Sequence, residues 1–370
     1  MTAVVGRLVL EDRVVSGSVT IEGETITEVS TDDRFGPDRP YITPGFVDVH
    51  VHGWGGNSAM GGREALDGMA RALLRRGVTS FLPTAVTSPL DELRQFADDV
   101  RDWMPDAPQD GAEPLGFNFE GPFLAESRKG AQNAAHLCSP ADVARPQLDP
   151  MVDGMRVITI APELPGALEL IGWLRARGVA ISLGHSAATF EEARAGYAAG
   201  ATSTTHLFNA MTGVDHRAPG LAVAALLDDE VWVELIADGI HVSPVLWPVI
   251  TRLKPVDRLL LVSDAIALAG TGDGRGTLGE LDVEVAGGRV TLAGTSTLAG
   301  SVLSLDVAVA NLVAAGIPLP DAVAAASRNP LALLGVTNRG RIAVGQRADL
   351  VELDEGLNLR RVMRAGEWLA

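Results

Sequence analysis

The chain has almost no cysteine and almost no lysine. Cys138 is the single cysteine in 370 residues, so no disulfide within the chain can brace the fold, and a cytoplasmic setting is expected. Lysine occurs only at Lys129 and Lys254 while arginine is plentiful, which reads as codon bias of a GC-rich genome. No apolar run reaches bilayer-spanning length. Glu11 and Asp12 arrive too early for a basic-then-apolar leader, so no secretory signal is expected. Positive charge is also scarce: the net charge is −17. That argues against nucleic acid or an anionic membrane as partner. It does not exclude a small anionic ligand, because a few cations inside a pocket override the mean field. No Gly-x-Gly-x-x-Gly follows the first strand, which counts against a dinucleotide fold.

What is present is an ordinary globular composition, 46% apolar and 21% charged, and enough length for one large domain plus a small one. Both ends alternate in the β manner. At the N-terminus the runs are Arg7–Leu10, Val14–Ile21 and Thr25–Val29, with turns expected at Glu22-Gly23-Glu24 and Gly36-Pro37. At the C-terminus they are Gly340–Gly345, Ala348–Leu353 and Arg361–Gly366. Neither end can build a core alone. Residues 1–43 and 337–370 are therefore expected to form one composite β-sandwich, with residues 44–336 inserted between them.

The middle alternates strand and helix. Eight strands are expected: Val47–Val51, Ser80–Pro83, Gly116–Glu120, Val157–Ala161, Val179–Gly184, Ser203–Leu207, Val231–Ala237 and Leu259–Ser263. Helices are expected at Arg63–Arg76, Leu90–Trp103, Ala167–Arg177, Phe190–Ala199 and Pro244–Leu253, with Gly77, Gly178 and Gly200 as stop signals. A hairpin at Leu278–Leu292 turns at Gly287-Gly288, and helices Val302–Ala315 and Pro320–Leu334 follow. The α/β pattern favours a (β/α)8 TIM barrel.

Six chemically capable residues end five of these apolar runs: His50 and His52, Glu120, His185, His206 and Asp264. In a parallel barrel all strand C-termini open on one face. His50 and His52 alternate on one strand and so share a side. The pair could be two polar residues at a strand end, Glu120, His185 or His206 taken singly a hydrogen-bonded structural residue, and Asp264 a helix cap. Their convergence favours a hydrolytic metal centre. Nitrogen and oxygen donors suit zinc, with iron or manganese as alternatives. Asp264 would serve as base toward a metal-activated water. Cys138 ends no strand and reads as a packing residue.

The order and content of eight segments then add a resemblance. They are Thr43-Pro-Gly-Phe-Val-Asp-Val-His-Val-His-Gly, Glu120-Gly-Pro-Phe-Leu, Gly184-His-Ser, Thr205-His-Leu-Phe-Asn-Ala-Met, Arg217-Ala-Pro-Gly-Leu, Ala237-Asp-Gly-Ile-His-Val, Ser263-Asp-Ala and Thr297-Leu-Ala-Gly-Ser. Together they resemble the amidohydrolase superfamily, within it the deacetylases of amino-sugar phosphates. The resemblance implies Glu120, His185 and His206 as core ligands and Asp264 as general base and acid. It implies a sugar site at Asn209, Ala210, Leu298, Ala299 and Gly300, with Ala131 and Asp238 beside it. It implies a 6-phosphate read by Arg217 and His241, in relatives across a dimer interface, and hence a homodimer. His50 and His52 match a variable position, so one or two ions per chain are expected. Glu120 is the available bridging ligand. Where the family usually has a histidine near the substrate carbonyl, this chain has Gln132, which can donate a hydrogen bond to an oxyanion but cannot carry a proton. His136, four residues on, could substitute for that histidine or be a plain loop residue, and His216, beside Arg217, could add to the phosphate pocket or be an exposed loop histidine. Two rivals stay open: a deacylase of another amino-sugar phosphate, such as the galacto isomer, and a non-catalytic sugar-phosphate-binding regulator.

Overall fold

Tyr41–Pro44 is the hinge of the architecture, because it pairs with strands from both ends of the chain and runs directly into the barrel. In the computed structural model, which describes residues 1–31 and 38–370, it lies parallel to Thr2–Val9 and antiparallel to Leu350–Leu353. The terminal sheet has seven strands. In order they are Glu367–Trp368, Leu359–Arg364, Leu350–Leu353, Tyr41–Pro44, Thr2–Val9, Val14–Glu22 and Thr25–Thr31. This one sheet curls until Thr25 meets Arg347, and it encloses Leu8, Val19, Ile21, Ile26, Ile42 and Leu350. The composite domain expected from the termini is thus present, built from a single coiled sheet. The run Gly340–Gly345 is not one of its strands. Gly340 and Gly345 both have positive φ, which takes the chain out of extended geometry. The Gly36-Pro37 turn lies outside the described residues.

Eight parallel strands form the barrel: Phe46–Val51, Val78–Ala85, Phe117–Glu120, Met155–Ile160, Ala180–Leu183, Ser203–Thr204, Trp232–Leu235 and Leu259–Leu261. All eight correspond to strands expected from the sequence. The ring closes between its ends through Asp264 N–H to His50 O (2.9 Å) and His52 N–H to Ala265 O (2.8 Å). The helices outside bury one stripe each. Gly62–Leu74 buries Leu66, Met69, Ala70, Leu73 and Leu74, and Leu90–Trp103 buries Leu93, Phe96, Ala97, Val100 and Trp103. This is the i, i+3, i+4 spacing of an amphipathic helix. Two short helices, Arg145–Val152 and Leu221–Leu227, were not expected. The first carries Pro146 and Pro150, and the second is apolar throughout, so neither shows that periodicity. The expected helix Pro320–Leu334 is two helices, Leu319–Ala326 and Arg328–Leu333. The break at Ser327 puts Pro330 in the first turn of the new helix, where its missing N–H costs nothing. The expected hairpin is a three-stranded sheet, Gly274–Leu278, Leu281–Ala286 and Arg289–Leu292. Among the described residues, no helix is long and apolar enough to cross a membrane.

An ion cluster fastens the terminal sheet to the barrel. Glu113, beside the second barrel strand, accepts from Arg339 (2.8 Å) and Arg347. Arg347 also pairs with Asp349 (2.6 Å). Arg364 reaches the carbonyls of Gln109 and Gly111 (2.8 Å each). Burial alone would raise the Glu113 pKa, but Arg339 and Arg347 outweigh it and hold the carboxyl below 4.5. A group with a depressed folded-state pKa stabilises fully above its unfolded value and loses that contribution as pH falls through the folded one. Glu113→Gln should therefore lower stability by about 1.5–3 kcal/mol at neutral pH. In denaturant melts the difference from the parent protein should shrink below pH 4.5. A constant difference down to pH 3 would mean that Glu113 acts by packing and not by charge.

Candidate metal centre

The last residues of the strands deliver the candidate ligands to one end of the barrel. Phe46–Val51 carries His50 and leads into His52; Phe117–Glu120 ends on Glu120. His185 and His206 lie two residues past a strand and Asp264 three, and each has positive φ: 47°, 26° and 51°. Non-glycine residues rarely adopt this region, and it costs about 1–3 kcal/mol per residue. The surroundings enforce it. Asp264 is held by the bond from its N–H to His50 O and by Ser301 N–H to Asp264 O (2.7 Å). Gly300 closes over it so tightly that a Cβ there would sit 2.8 Å from Asp264 O. Next to His185, a Cβ on Gly184 would lie 2.6 Å from that of Thr205. After His185, Thr189 and Glu192 form a reciprocal capping box that starts the next helix.

The ligand atoms face one another at short range. Glu120 Oε1 is 2.9 Å from Nε2 of His185 and 2.9 Å from Nε2 of His206, and those two nitrogens are 3.1 Å apart. Glu120 Oε2 is 3.2 Å from His52 Nε2, which is also 3.2 Å from Asp264 Oδ1. His50 Nε2 lies 3.5 Å from Glu120 and 3.6 Å from Asp264, and has no hydrogen-bond partner. Two clusters share Glu120: His50, His52, Glu120 and Asp264, and Glu120, His185 and His206. All six residues are buried.

The far side of each ring sets what the near side presents. His185 Nδ1 faces Arg128 O (2.8 Å), His52 Nδ1 faces Thr84 O (3.0 Å), and His50 Nδ1 faces Glu234 Oε2 (3.0 Å). An oxygen acceptor at Nδ1 keeps the proton there and leaves the Nε2 lone pair aimed inward. Lone pairs and carboxylate oxygens at 3 Å repel unless a cation lies among them. Protons can play that part. Burial lowers the His52 pKa, but Asp264 and Glu120 outweigh it and push it up to about 9. His50 is likewise raised, burial being outweighed by Glu234 and Glu120. Burial raises the pKa of Glu120 and of Asp264, yet the imidazoles bring both below the usual carboxylate range. A divalent ion would satisfy the same lone pairs with more charge, and this donor set of nitrogen and oxygen suits one.

The cavity over this floor measures about 340 Å³. Its lining brings together His52, Glu120, Ala131, Gln132, His185, His206, Asn209, Ala210, His241, Asp264, Leu298 and Gly300. His50 lies below the floor, fully buried. Ala299 is buried behind the lining. Asp238 also stands behind it, taking His241 Nδ1 at 2.7 Å and leaving Nε2 for the cavity. Arg217 is exposed and does not line the cavity of its own chain. Gln132 donates to Glu120 Oε2 (2.5 Å) and accepts from Thr87 N–H (2.8 Å), so half of its amide is spent on the ligand. His136 instead bonds Glu280 (2.7 Å) on the neighbouring hairpin, and His216 is exposed. Sequence reasoning passed over Glu234 and Arg128. Glu234 is a lone carboxylate inside the apolar run Val231–Ala237, which was a usable signal. Arg128 is the one Arg or Lys in the cavity lining, and its side chain has no ion pair among the described residues.

Comparison with known proteins agrees with this geometry. The model of the amidohydrolase family matches residues 41–369. The chain is 38% identical to an N-acetylgalactosamine-6-phosphate deacetylase of Escherichia coli O157:H7, covering 89% of this chain and 88% of that one. It is 37% identical to the human N-acetylglucosamine-6-phosphate deacetylase, over 98% and 92%. Among solved structures, a mutant N-acetyl-D-glucosamine-6-phosphate deacetylase from Mycobacterium smegmatis, in complex with N-acetyl-D-glucosamine-6-phosphate, superposes with a TM-score of 0.92. It is 35% identical, with 100% of this chain and 99% of that one covered. The chain belongs to the amidohydrolase family.

Proposed function

We propose that this protein is a metal-dependent deacetylase that hydrolyses N-acetylglucosamine 6-phosphate to glucosamine 6-phosphate and acetate. The observation that carries the reading is the Glu120–His185–His206 cluster beside Asp264, on the floor of a cavity that also holds a free-edged imidazole at His241. Glu120, His185 and His206 would hold the principal ion. His50 and His52, with Glu120 and Asp264, would hold a second. Zinc is the first expectation and iron or manganese the alternatives. A bound divalent ion supplies a water of lowered pKa and polarises the amide carbonyl. Asp264 takes the proton of the attacking water and returns it to the departing amine. The amide N–H of Gln132 not used on Glu120 would donate to the carbonyl oxygen. Asn209, Ala210, Leu298 and Gly300 line the space for the sugar. For the phosphate, His241 and Arg128 are available within the chain, and Arg217 would come from a partner subunit. Support for a homodimer comes from the helix after His241, which exposes Val245, Leu246, Val249 and Leu253.

The E. coli relative favours one second reading, the galacto isomer as substrate. Acetate release from the two sugar phosphates, compared as kcat/KM, decides between them. Release from neither would leave the sugar-phosphate-binding regulator as the surviving reading.

Asp264→Asn should keep the principal ion while lowering kcat about a hundred- to ten-thousand-fold. Retained activity would place the base elsewhere.

His185→Ala and His206→Ala should each lose tightly bound metal together with activity, measured by elemental analysis on the assayed sample. His50→Ala should cost less. Equal loss of all bound metal from the His50 variant would put that residue in the principal site.

Arg217→Ala should weaken phosphorylated substrate by about 2–4 kcal/mol and leave plain N-acetylglucosamine nearly unaffected. Mixing inactive Asp264→Asn and Arg217→Ala subunits should restore some activity, because one hybrid site would be intact. Verified heterodimers without recovery would place the phosphate contacts within one chain.

A further inference from the structure

Four imidazoles meet at the mouth of the barrel, and they are not equally supported. His52 and His185 lean on main-chain carbonyls, and His206 Nδ1 is buried without a partner. His50 alone is backed by a carboxylate, Glu234 Oε2 at 3.0 Å. The same oxygen accepts the main-chain N–H of His206 at 3.1 Å, and the Glu234 carbonyl accepts Leu207 N–H at 2.8 Å. One side chain on the strand Trp232–Leu235 therefore grips a residue from each of the two clusters.

Glu234 is 1% exposed. Among the described residues its only ion-pair partner is His50, and the ion-pair partners of Glu120 and Asp264 are likewise all imidazoles. Three buried carboxylates thus stand together without a guanidinium or ammonium. A buried carboxylate is costly unless paired. One divalent cation leaves the three carboxylates a net negative charge, which a proton or a second cation would offset. A carboxylate behind Nδ1 also fixes the ring tautomer and makes Nε2 a stronger donor.

We infer that Glu234 is a positioning residue that makes the His50–His52 side of the centre bind a second divalent cation. The inference rests on the metal-dependent reading above. It assigns the carboxylate behind His50 the choice between one ion and two.

The test is Glu234→Gln in the full chain, dialysed against a series of free Zn2+ concentrations, with bound zinc counted per chain. The parent protein should saturate at two ions. The variant should bind the first ion as tightly as the parent and the second about 10–100-fold more weakly. In a His50→Gln background, adding Glu234→Gln should change zinc affinity no further, because the effect runs through His50. If Glu234→Gln does not fold, Glu234→Asp keeps the charge and withdraws it by one methylene, and should selectively weaken the second ion. A parent that saturates at one ion overturns the inference. So does a variant with both affinities unchanged, or one that loses both ions equally. Zinc counting uses no substrate. Two ions behaving as expected without acetate release would sink the proposed reaction and leave the role of Glu234 standing.

Discussion

Glu120 brings one carboxylate oxygen to 2.9 Å from the Nε2 atoms of both His185 and His206, and its other oxygen to 3.2 Å from His52. The rest of the barrel mouth is arranged to make that contact tolerable. Carbonyls of Thr84 and Arg128 and the carboxylate of Glu234 hold the protons of three rings on the far side. The near side is left with lone pairs and negative oxygens on the buried floor of the cavity. In low dielectric such a set is stable only around positive charge. Protons and divalent cations are the two candidates. The raised pKa values of His50 and His52 show how strongly the carboxylates attract either one. Metal binding at these nitrogens should displace protons, which ties affinity to pH.

This electrostatic demand is met with backbone that a relaxed chain avoids. His185, His206 and Asp264 take positive φ, as do Phe208 and Ala210 in the loop after His206. Each turn aims a side chain back over the strand end from which it came. The strain is balanced by contacts that allow little else. Ser301 and His50 bracket the main chain of Asp264, Glu234 takes the N–H groups of His206 and Leu207, and Ala210 O accepts Ser186 N–H (3.1 Å). Gly300 belongs to the same scheme, because a side chain there would strike the Asp264 carbonyl. The buried layer between strands and helices, which includes Phe117, Phe119, Ile181 and Leu235, gives these turns a rigid base.

The sequence displays some of this plainly and some not at all. All eight barrel strands were legible, because a strand buried on both faces is a short, largely apolar run, and in five of them a polar residue at the far end marks the open mouth. That is how His50, His52, Glu120, His185, His206 and Asp264 can be grouped from the sequence alone. The composite terminal domain was legible because neither end had enough strands to stand alone. What periodicity cannot register is pairing across long separations. Nothing near Glu234 announces that its partner lies 184 residues away at His50, or that Glu113 will meet Arg339 and Arg347. The Gly340–Gly345 run has strand-like residues but two glycines in left-handed geometry, and only the packed structure reveals that choice. The helix break at Ser327 is different: Pro330 was visible, and its demand for a place in a first turn could have been used.

Charge placement also bears on how an acidic chain would orient an anionic sugar. Most of the net −17 is spread over exposed side chains, and at physiological salt such charges are screened beyond about 8 Å. Within the cavity only fixed neighbours matter. Its floor carries Glu120 and Asp264; the walls carry Arg128 and His241. A dianion placed on the floor would compete with two carboxylates for whatever cations sit there. The same group against the Arg128 guanidinium would meet a cation that has no ion-pair partner among the described residues, with the His241 ring, its Nδ1 held by Asp238, lining the same cavity. A neutral acetamide has the opposite preference: it loses nothing at the floor and gains polarisation there. The two ends of an N-acetylated sugar phosphate would therefore sort themselves between wall and floor. The amide carbonyl would then come to rest beside Asp264 and the ligand cluster, the only part of the cavity able to act on it.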